Sequence, residues 1–169
     1  LGDYADVPVL LTPGSGALRA RIAARLEAEH AVLATGVCSG ANHVDPSVDY
    51  GAGCVCVPHA RIGSGVRIGV GVQVLATVVG HDVEIGDFST IGVHSSILGN
   101  VAIGKGVNIA PCAIISNGTP GRPRRIGDGA TIGTGAVVVR DVPDGAHVIG
   151  NPAMPIRQWA RLSRLSRED

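Results

Sequence analysis

Residues 85–115 read IGDFSTIGVHSSILGNVAIGKGVNIAPCAII, and an isoleucine returns at every sixth position of this stretch. A period of six fits neither an α-helix, which repeats about every 3.6 residues, nor an ordinary strand, which alternates without interruption. It fits a short strand that is broken by a turn in each six-residue unit, where glycine provides turn conformations that a Cβ atom disfavours. Three such units close one triangular coil, so the stretch predicts a parallel β-solenoid.

The same repeat extends in both directions along the chain. Branched or otherwise apolar residues continue it at positions 44, 50, 56, 62, 68, 74 and 79, and again at 126, 132 and 138. The residue two places before the repeat position is usually small, as at Cys54, Ala60, Ser89, Ser95, Ala113, Ala130 and Ala136. Strands of successive coils stack about 4.8 Å apart, so these units predict roughly five coils and a prism about 25 Å tall. Branched side chains would then form a continuous apolar column that no single unit could bury alone.

The composition favours a core of small and β-branched side chains. Of 169 residues 25 are glycine, and 45% are apolar although only 2% are aromatic. Fourteen basic residues balance fourteen acidic ones, so no overall field attracts nucleic acid or an anionic membrane, and we expect neither partner. No apolar run reaches the length of a membrane span, and the four cysteines lack the spacing of a zinc site. We therefore expect a cytoplasmic protein with reduced thiols and no metal.

The first forty residues lie outside the repeat. Residues 7–12 and 31–35 are apolar runs that predict two strands, and residues 17–29 between them predict a helix. Three apolar residues fall on one face of that helix: Leu18, Ile22 and Leu26. The pattern predicts a partial β-α-β unit.

A second helix is predicted at the other end. Its apolar residues lie on one side, at Ile156, Trp159, Leu162 and Leu165. Such a helix would cap the last coil or a neighbouring subunit. We expect three parts in the chain: a partial N-terminal α/β unit over residues 1–40, the β-helix over 41–153 and a C-terminal helix over 154–169.

The repeat changes register twice, and a repeat protein tends to carry function where it departs from its own rule. The step from Val74 to Val79 is five residues instead of six, and His81 and Asp82 follow it immediately. The step from Ile115 to Ile126 is eleven residues. It adds the arginine loop, residues 116–125 (SNGTPGRPRR), which carries Arg122, Arg124 and Arg125.

His81 is the candidate general base. Acyl transfer from a thioester needs a group that removes a proton from an incoming amine or hydroxyl, and an imidazole suits this task at neutral pH. A neighbouring carboxylate such as Asp82 raises the basicity of the ring and stabilises the imidazolium that forms.

Four segments carry a resemblance to a known family. They are VVGHDVEIGDFSTIG (78–92), GNVAIGKGV (99–107), IGDGATIGTGAVVVRDVPDG (126–145) and GNPAMPI (150–156). The chain resembles the hexapeptide-repeat acyltransferases, and among them the sialic acid O-acetyltransferase and bacillosamine-pathway amino-sugar N-acetyltransferase family. The resemblance implies a left-handed parallel β-helix, a homotrimer with active sites between subunits, and acetyl-CoA as co-substrate. The N-terminal fragment is similar to the end of that family's nucleotide-sugar-binding domain.

The resemblance also implies roles for individual residues. His81 would be the general base and Asp82 its partner, and the backbone N–H of Gly99, one full coil above, would polarise the thioester carbonyl. Thr90 stands where close relatives have a second histidine in contact with acyl-CoA. The pantetheine arm would pass Pro111 and Thr134 in the crevice between two subunits, with Asn151 and Pro152 near the nucleotide end.

These observations predict an acyl-CoA-dependent N- or O-acyltransferase that acts in a ternary complex. Its acceptor would be an amino sugar, a nucleotide-linked sugar or a sialic-acid-like molecule. One alternative is a non-catalytic β-helix that serves as a trimerisation module. Another is a γ-carbonic anhydrase, although that enzyme clusters two histidines five positions apart, whereas His81 and His94 lie thirteen apart. The arginine loop is either a clamp on CoA or sugar-nucleotide phosphates or an ordinary surface excursion.

Overall fold

The structure is a computed structural model and describes residues 7–37 and 44–165. Most of the chain winds into a left-handed parallel β-solenoid with three faces; one helix packs against its side and a second helix lies at its C-terminal end. The mainly β fold class predicted from the six-residue repeat is confirmed. The solenoid has about six coils rather than five, because strands at both ends lie beyond the regular repeat.

The regular elements are short, as the repeat requires. In chain order they are α1 (Gly16–Ala28), β1 (Gly36–Val37), β2 (Asp49–Tyr50), β3 (Val55–Cys56), β4 (Arg61–Ile62), β5 (Arg67–Ile68), β6 (Gln73–Val74), β7 (Val78–Val79), β8 (Val83–Ile85), β9 (Thr90–Ile91), β10 (Ser96–Ile97), β11 (Val101–Ile103), β12 (Asn108–Ile109), β13 (Ile114–Ile115), β14 (Arg124–Ile126), β15 (Thr131–Ile132), β16 (Val137–Val138), β17 (His147–Ile149), β18 (Met154–Pro155) and α2 (Ile156–Leu165).

The strands form three sheets, one on each face of the prism. Face 1 contains β1, β3, β6, β9, β12, β15, β17 and β18; face 2 contains β4, β7, β10, β13 and β16; and face 3 contains β2, β5, β8, β11 and β14. All neighbours are parallel except β17 and β18, which pair antiparallel. Every turn of the chain therefore visits the three faces in the same order.

The pairing register absorbs both irregular steps. Val79 pairs with Ile97, eighteen positions on, but Ile62 pairs with Val79, only seventeen positions on. Ile103 pairs with Ile126, twenty-three positions on, because that coil contains the arginine loop. The missing and added residues are thus confined to corners, and the inward column stays aligned.

The core consists of this inward column and the small residues that precede it. Ile91, Ile97, Ile109, Ile115 and Ile132 have no exposed surface. The small residues at positions 54, 60, 89, 95, 113, 130 and 136 are buried as well. Their size leaves room for the branched side chains of the same coil, so the interior is filled without aromatic rings.

Aspartates at the corner between faces 3 and 1 explain why aspartate recurs after glycine. Oδ1 of Asp128 accepts a hydrogen bond from the N–H of Lys105 in the coil below (2.8 Å), and Oδ1 of Asp87 accepts one from the N–H of Val70 (3.0 Å). The Lys105 ammonium, 3.0 Å from the second oxygen of Asp87, helps to hold the pKa of that carboxyl below its usual range. Each aspartate therefore joins two coils.

The N-terminal unit is smaller than the sequence predicts. The strands predicted at 7–12 and 31–35 reduce to one parallel bridge between Val9 and Leu33. The helix forms over Gly16–Ala28, and the hydroxyl of Ser15 accepts a hydrogen bond from the N–H of Leu18 at its start.

On the apolar face predicted for α1, Leu26 is buried but Leu18 is exposed. The inward position belongs to Arg19, which is completely buried. Its Nε donates to the carbonyl of Gly71, and its terminal nitrogens donate to the carbonyls of Pro13, Gly14, Phe88 and Ser89 and to the hydroxyl of Thr90, at 2.8–3.0 Å. Burial lowers the pKa of the Arg19 guanidinium. This one side chain fastens α1 to face 1.

Helix α2 packs on β17 and β18 at the C-terminal end of the solenoid. Ile156, Trp159 and Leu162 on its apolar side remain 40–49% exposed. The predicted position at the last coil is confirmed, and contact with a neighbouring subunit stays a prediction. Within residues 7–37 and 44–165, neither helix has the length and hydrophobicity needed to cross a bilayer.

Candidate active site

His81 and Asp82 lie at the corner between faces 2 and 3, in the turn that joins β7 to β8. Asp82 has a positive φ of 53°, and Asn100, one coil above, has a φ of 55°. Aspartate and asparagine tolerate this left-handed conformation better than other residues with a Cβ atom. The Asp82 N–H donates to the carbonyl of Ser64 below (2.9 Å), and the Asn100 N–H donates to the carbonyl of His81 (2.9 Å). The turn is therefore fixed from both sides.

The two side chains form a hydrogen-bonded pair. Nδ1 of His81 lies 2.8 Å from Oδ2 of Asp82, and both side chains are exposed. A carboxylate can only accept, so Nδ1 of the neutral ring donates its N–H to Asp82 and Nε2 carries the free lone pair. The pair thus presents a proton acceptor at the surface of the corner.

Two glycines enclose this pair. A Cβ atom on Gly99, one coil above, would lie 2.5 Å from Nε2 of His81. A Cβ atom on Gly65, one coil below, would lie 2.7 Å from Oδ1 of Asp82. The imidazole and the carboxylate therefore occupy positions that only glycine neighbours leave open. The family resemblance implied Gly99, but Gly65 was not predicted because it looks like any other turn glycine of the repeat.

Gly99 also brings a backbone donor next to the imidazole. The carbonyl of Gly99 accepts from the N–H of Gly118 in the coil above (3.1 Å). The N–H of Gly99 donates to no group within residues 7–37 and 44–165. The structure therefore brings His81, Asp82 and Gly99 together as predicted, although their roles remain predictions.

The predicted acetyl-CoA contacts lie at a different corner, between faces 1 and 2. Pro111 and the turn that contains Thr134 stack directly, since the N–H of Gly135 donates to the carbonyl of Pro111 (3.0 Å). Asn151 and Pro152 are exposed in the turn after β17, above the same corner. These four residues are grouped with one another, but face 2 separates them from His81 within one subunit.

Thr90 lies at neither corner. It stands on face 1, where its hydroxyl accepts from Arg19 (2.9 Å) and donates to the carbonyl of Gly14 (3.2 Å). The hydroxyl therefore joins the N-terminal unit to the solenoid, and its role as an acyl-CoA contact stays a prediction. His94 is exposed in a turn at the Pro111 corner, so face 2 also separates it from His81.

The outer surface of face 2 is apolar where that of face 3 is charged. Face 2 directs Val78, Ile114 and Val137 outward, together with the polar Ser96 and, in its first strand, Arg61; Leu98 beside them is also exposed. Face 3 directs Arg67, Glu84 and Arg125 outward. The His81 corner therefore borders an uncovered apolar surface.

The His81 corner is open rather than enclosed. Two cavities of about 440 and 670 Å³ in the described part of the chain are lined by residues of face 3 and of α1 with its neighbours. Neither includes His81. In the part of the chain that the structure describes, no group of three or more His, Cys, Asp or Glu residues is arranged to hold a metal ion.

Comparisons with known proteins agree with this geometry. The acetyltransferase domain of PglB from Neisseria gonorrhoeae FA1090, solved in complex with acetyl coenzyme A, is 31% identical with a TM-score of 0.81, covering 88% of this chain and 70% of that one. PerB from Caulobacter crescentus, solved with CoA and GDP-perosamine, is 28% identical with a TM-score of 0.80, covering 86% of this chain and 68% of that one.

A curated relative gives the same result from sequence. GDP-perosamine N-acetyltransferase of Escherichia coli O157:H7 is 38% identical over 109 residues, or 64% of this chain. The chain spans about half (49%) of that relative's length. No family model matches the chain. The solenoid, the placement of His81 and these similarities together show that the chain belongs to the hexapeptide-repeat sugar N-acetyltransferase family.

Proposed function

We propose that this protein transfers an acetyl group from acetyl-CoA to the amine of a nucleotide-linked amino sugar. The observation that carries the proposal is the position of His81, whose Nε2 faces Gly99 while Nδ1 is hydrogen-bonded to Asp82. The relative PerB binds both CoA and GDP-perosamine, which supports this class of donor and acceptor.

In the proposed reaction the acceptor nitrogen attacks the carbonyl carbon of the thioester. The nitrogen–carbon bond forms, the carbon–sulfur bond breaks, and Nε2 of His81 takes the proton that the amine loses. Asp82 stabilises the resulting imidazolium through the 2.8 Å contact to Nδ1. The N–H of Gly99 donates to the carbonyl oxygen as negative charge develops there. The imidazolium then returns its proton to the departing sulfur.

We further propose that the site is completed by a second copy in a homotrimer. If the apolar surface of face 2 lies toward a threefold axis, the His81 corner of each subunit meets the Pro111 corner of the next. That arrangement covers Ile114 and brings together the two groups of predicted residues that face 2 separates in one subunit. It would also enclose the His81–Asp82 pair, which is open to solvent in a single subunit.

The proposal includes the organisation of the chain and its location. Residues 1–40 would be the end of a nucleotide-sugar-binding unit, residues 41–153 the catalytic β-helix, and residues 154–169 the C-terminal helix. Among the described residues Cys54 and Cys112 are free thiols, which suits the reducing cytoplasm.

Thiol release from acetyl-CoA in the presence of GDP-perosamine and other nucleotide-linked amino sugars tests the function. We expect turnover by the wild type and a decrease in kcat of about 10²–10⁴-fold in His81→Ala. His147→Ala, which removes an exposed histidine on face 1, is the matched control and should retain activity. Full activity of His81→Ala would contradict the role of His81 and show that another group is the base. Failure of every acceptor together with no binding of CoA would favour a non-catalytic trimerisation module.

A further inference from the structure

The arginine loop is an ordered hairpin rather than a featureless excursion. Thr119 and Arg122 exchange two backbone hydrogen bonds, of 3.0 and 2.9 Å, across Pro120 and Gly121. Gly121 has a φ of +77°, and proline followed by a residue of positive φ is the arrangement of a type II turn. The proline and the glycine in the turn therefore define the shape of the loop.

Both ends of the hairpin are attached to the His81 corner. The N–H groups of Gly118 (3.2 Å) and Arg124 (2.9 Å) donate to the same carbonyl oxygen, that of Asn100. The Gly118 N–H also contacts the carbonyl of Gly99 (3.1 Å). The loop thus begins directly above the glycine that faces His81.

The hairpin encloses one side of a cavity of about 320 Å³. Its lining includes Asn117, Thr119, Arg122, Arg124 and Asp141. The two arginines face a single carboxylate there, and Arg125 next to them adds another positive charge. The arginines outnumber the carboxylate, so this region is positive. The charge is local, since the chain as a whole has no net charge.

The hydrogen-bond donors of Arg124, in the lining of this cavity, are poorly satisfied. Its Nε is buried and has no hydrogen-bond partner among the described residues. Its terminal nitrogens make only long contacts of 3.4 Å, to Oδ1 of Asp141 and the carbonyl of Asn117. Typical N–H···O bonds are about 2.9–3.0 Å long, and a buried donor without an acceptor is unfavourable.

Arg19, which is fully buried, gives an internal comparison for the partly buried Arg124. Arg19 makes six hydrogen bonds of 2.8–3.0 Å and has no donor left for a ligand. The guanidinium of Arg124 lies at the edge of a cavity, and its N–H donors have only long contacts or none. A guanidinium in this state matches the paired oxygens of a phosphate group.

We propose that the arginine loop binds the diphosphate of a nucleotide substrate, with Arg124 as the principal contact and Arg122 as a second one at the loop tip. The assignment to a substrate rests on the proposed function, since CoA and a nucleotide-linked sugar both carry a diphosphate. The site lies one coil beyond Gly99 on the same corner. A substrate whose diphosphate is bound there can therefore place its reacting group beside His81.

Calorimetric titration with inorganic pyrophosphate and with GDP tests the site without turnover. We expect saturable binding to the wild type, weakened about tenfold to hundredfold in Arg124→Gln and also weakened in Arg122→Gln. Arg67→Gln, on face 3 outside the cavity, is the matched control and should bind as the wild type does. Equal binding by all four proteins, or no saturable binding to the wild type, would overturn the proposal. Arg122 is exposed at the loop tip, so its variant keeps the test valid if Arg124→Gln fails to fold.

Steady-state kinetics then identifies which substrate supplies the diphosphate. If it is CoA, Arg124→Gln raises KM for acetyl-CoA, and the difference from the wild type disappears with acetyl-pantetheine, which lacks the diphosphate. If it is the sugar nucleotide, KM for the acceptor rises and the difference persists with acetyl-pantetheine. Unchanged KM values for both substrates would contradict a substrate site. A wild type that binds pyrophosphate through Arg124 but turns over no acceptor would refute the proposed function and retain the anion site.

Discussion

Nε2 of His81 and Gly99 are so close that a Cβ atom on the glycine would lie 2.5 Å from the ring nitrogen. The imidazole is consequently positioned by the absence of a side chain in the coil above it. An eighteen-residue spacing, one regular coil, produces this contact, and it exists only because the corner carries histidine in one coil and glycine in the next.

Gly99→Ala should lower kcat with little change in stability. The added methyl group displaces the ring, and a shift of about 1 Å in a reacting group can reduce the rate by about 10²-fold. Steady-state kinetics measures the effect. Gly14→Ala is the control, because a Cβ atom there has no neighbour within 4 Å. An unchanged kcat in Gly99→Ala would show that the ring does not act from this position.

Gly65→Ala should impair activity through Asp82. A Cβ atom at position 65 meets Oδ1 of the carboxylate at 2.7 Å, so the hydrogen bond to Nδ1 is disturbed. Gly106→Ala is a matched control: its φ of +62° resembles the +68° of Gly65, but nothing lies within 4 Å of the added atom. The two variants share the backbone strain of alanine at positive φ. A greater loss of kcat in Gly65→Ala alone supports a role for the carboxylate, and equal losses would argue against it.

Arg19→Met should destabilise the protein by about 3 kcal/mol, because it leaves buried carbonyl oxygens without their donor. Chemical denaturation measures this change, and hydrogen exchange should show that residues 9–34 lose protection before the solenoid core does. Arg21→Met, at an exposed position of the same helix, should have little effect. Uniform loss of protection throughout the chain would show that the N-terminal unit does not unfold independently of the solenoid.

Ile114→Glu should dissociate the proposed trimer, since it puts a charge in the centre of the apolar surface of face 2. Light scattering coupled to gel filtration reports the mass, and activity should fall along with it. Ala102→Glu is the control on face 3, where position 102 pairs with Glu84 and Arg125. A wild-type mass of one subunit would contradict the trimer, as would an unchanged mass in Ile114→Glu.

The solenoid could be predicted because its signal is repeated. Each isoleucine of the series reports the same inward position, so one unusual residue does not obscure the period. The two irregular steps were equally visible, and they directed attention to His81 and to the arginine loop. Gly99 was implied by the family resemblance, and its distance of eighteen residues from His81 equals the length of one regular coil.

The remaining features depend on contacts that no local pattern contains. Arg19 lies on a helix with several other arginines, and only the carbonyl groups of Gly71 and Phe88, more than fifty residues away, distinguish it. Hydrophobicity alone would turn Leu18 inward, and it gives no reason to expect a buried arginine next to it. The end strands were missed for a related reason, since β1 and β17 pair with the solenoid without the six-residue spacing.

The double hydrogen bond at Asn100 has a consequence for how this family can diversify. The N–H groups at the two ends of the hairpin donate to the same oxygen atom, the carbonyl of Asn100. The ends are therefore held together, and the length of the hairpin does not affect the winding of the coils on either side. A lineage could extend, shorten or exchange the segment between Gly118 and Arg124 as a cassette, and so acquire new ligand preferences without refolding the scaffold beneath.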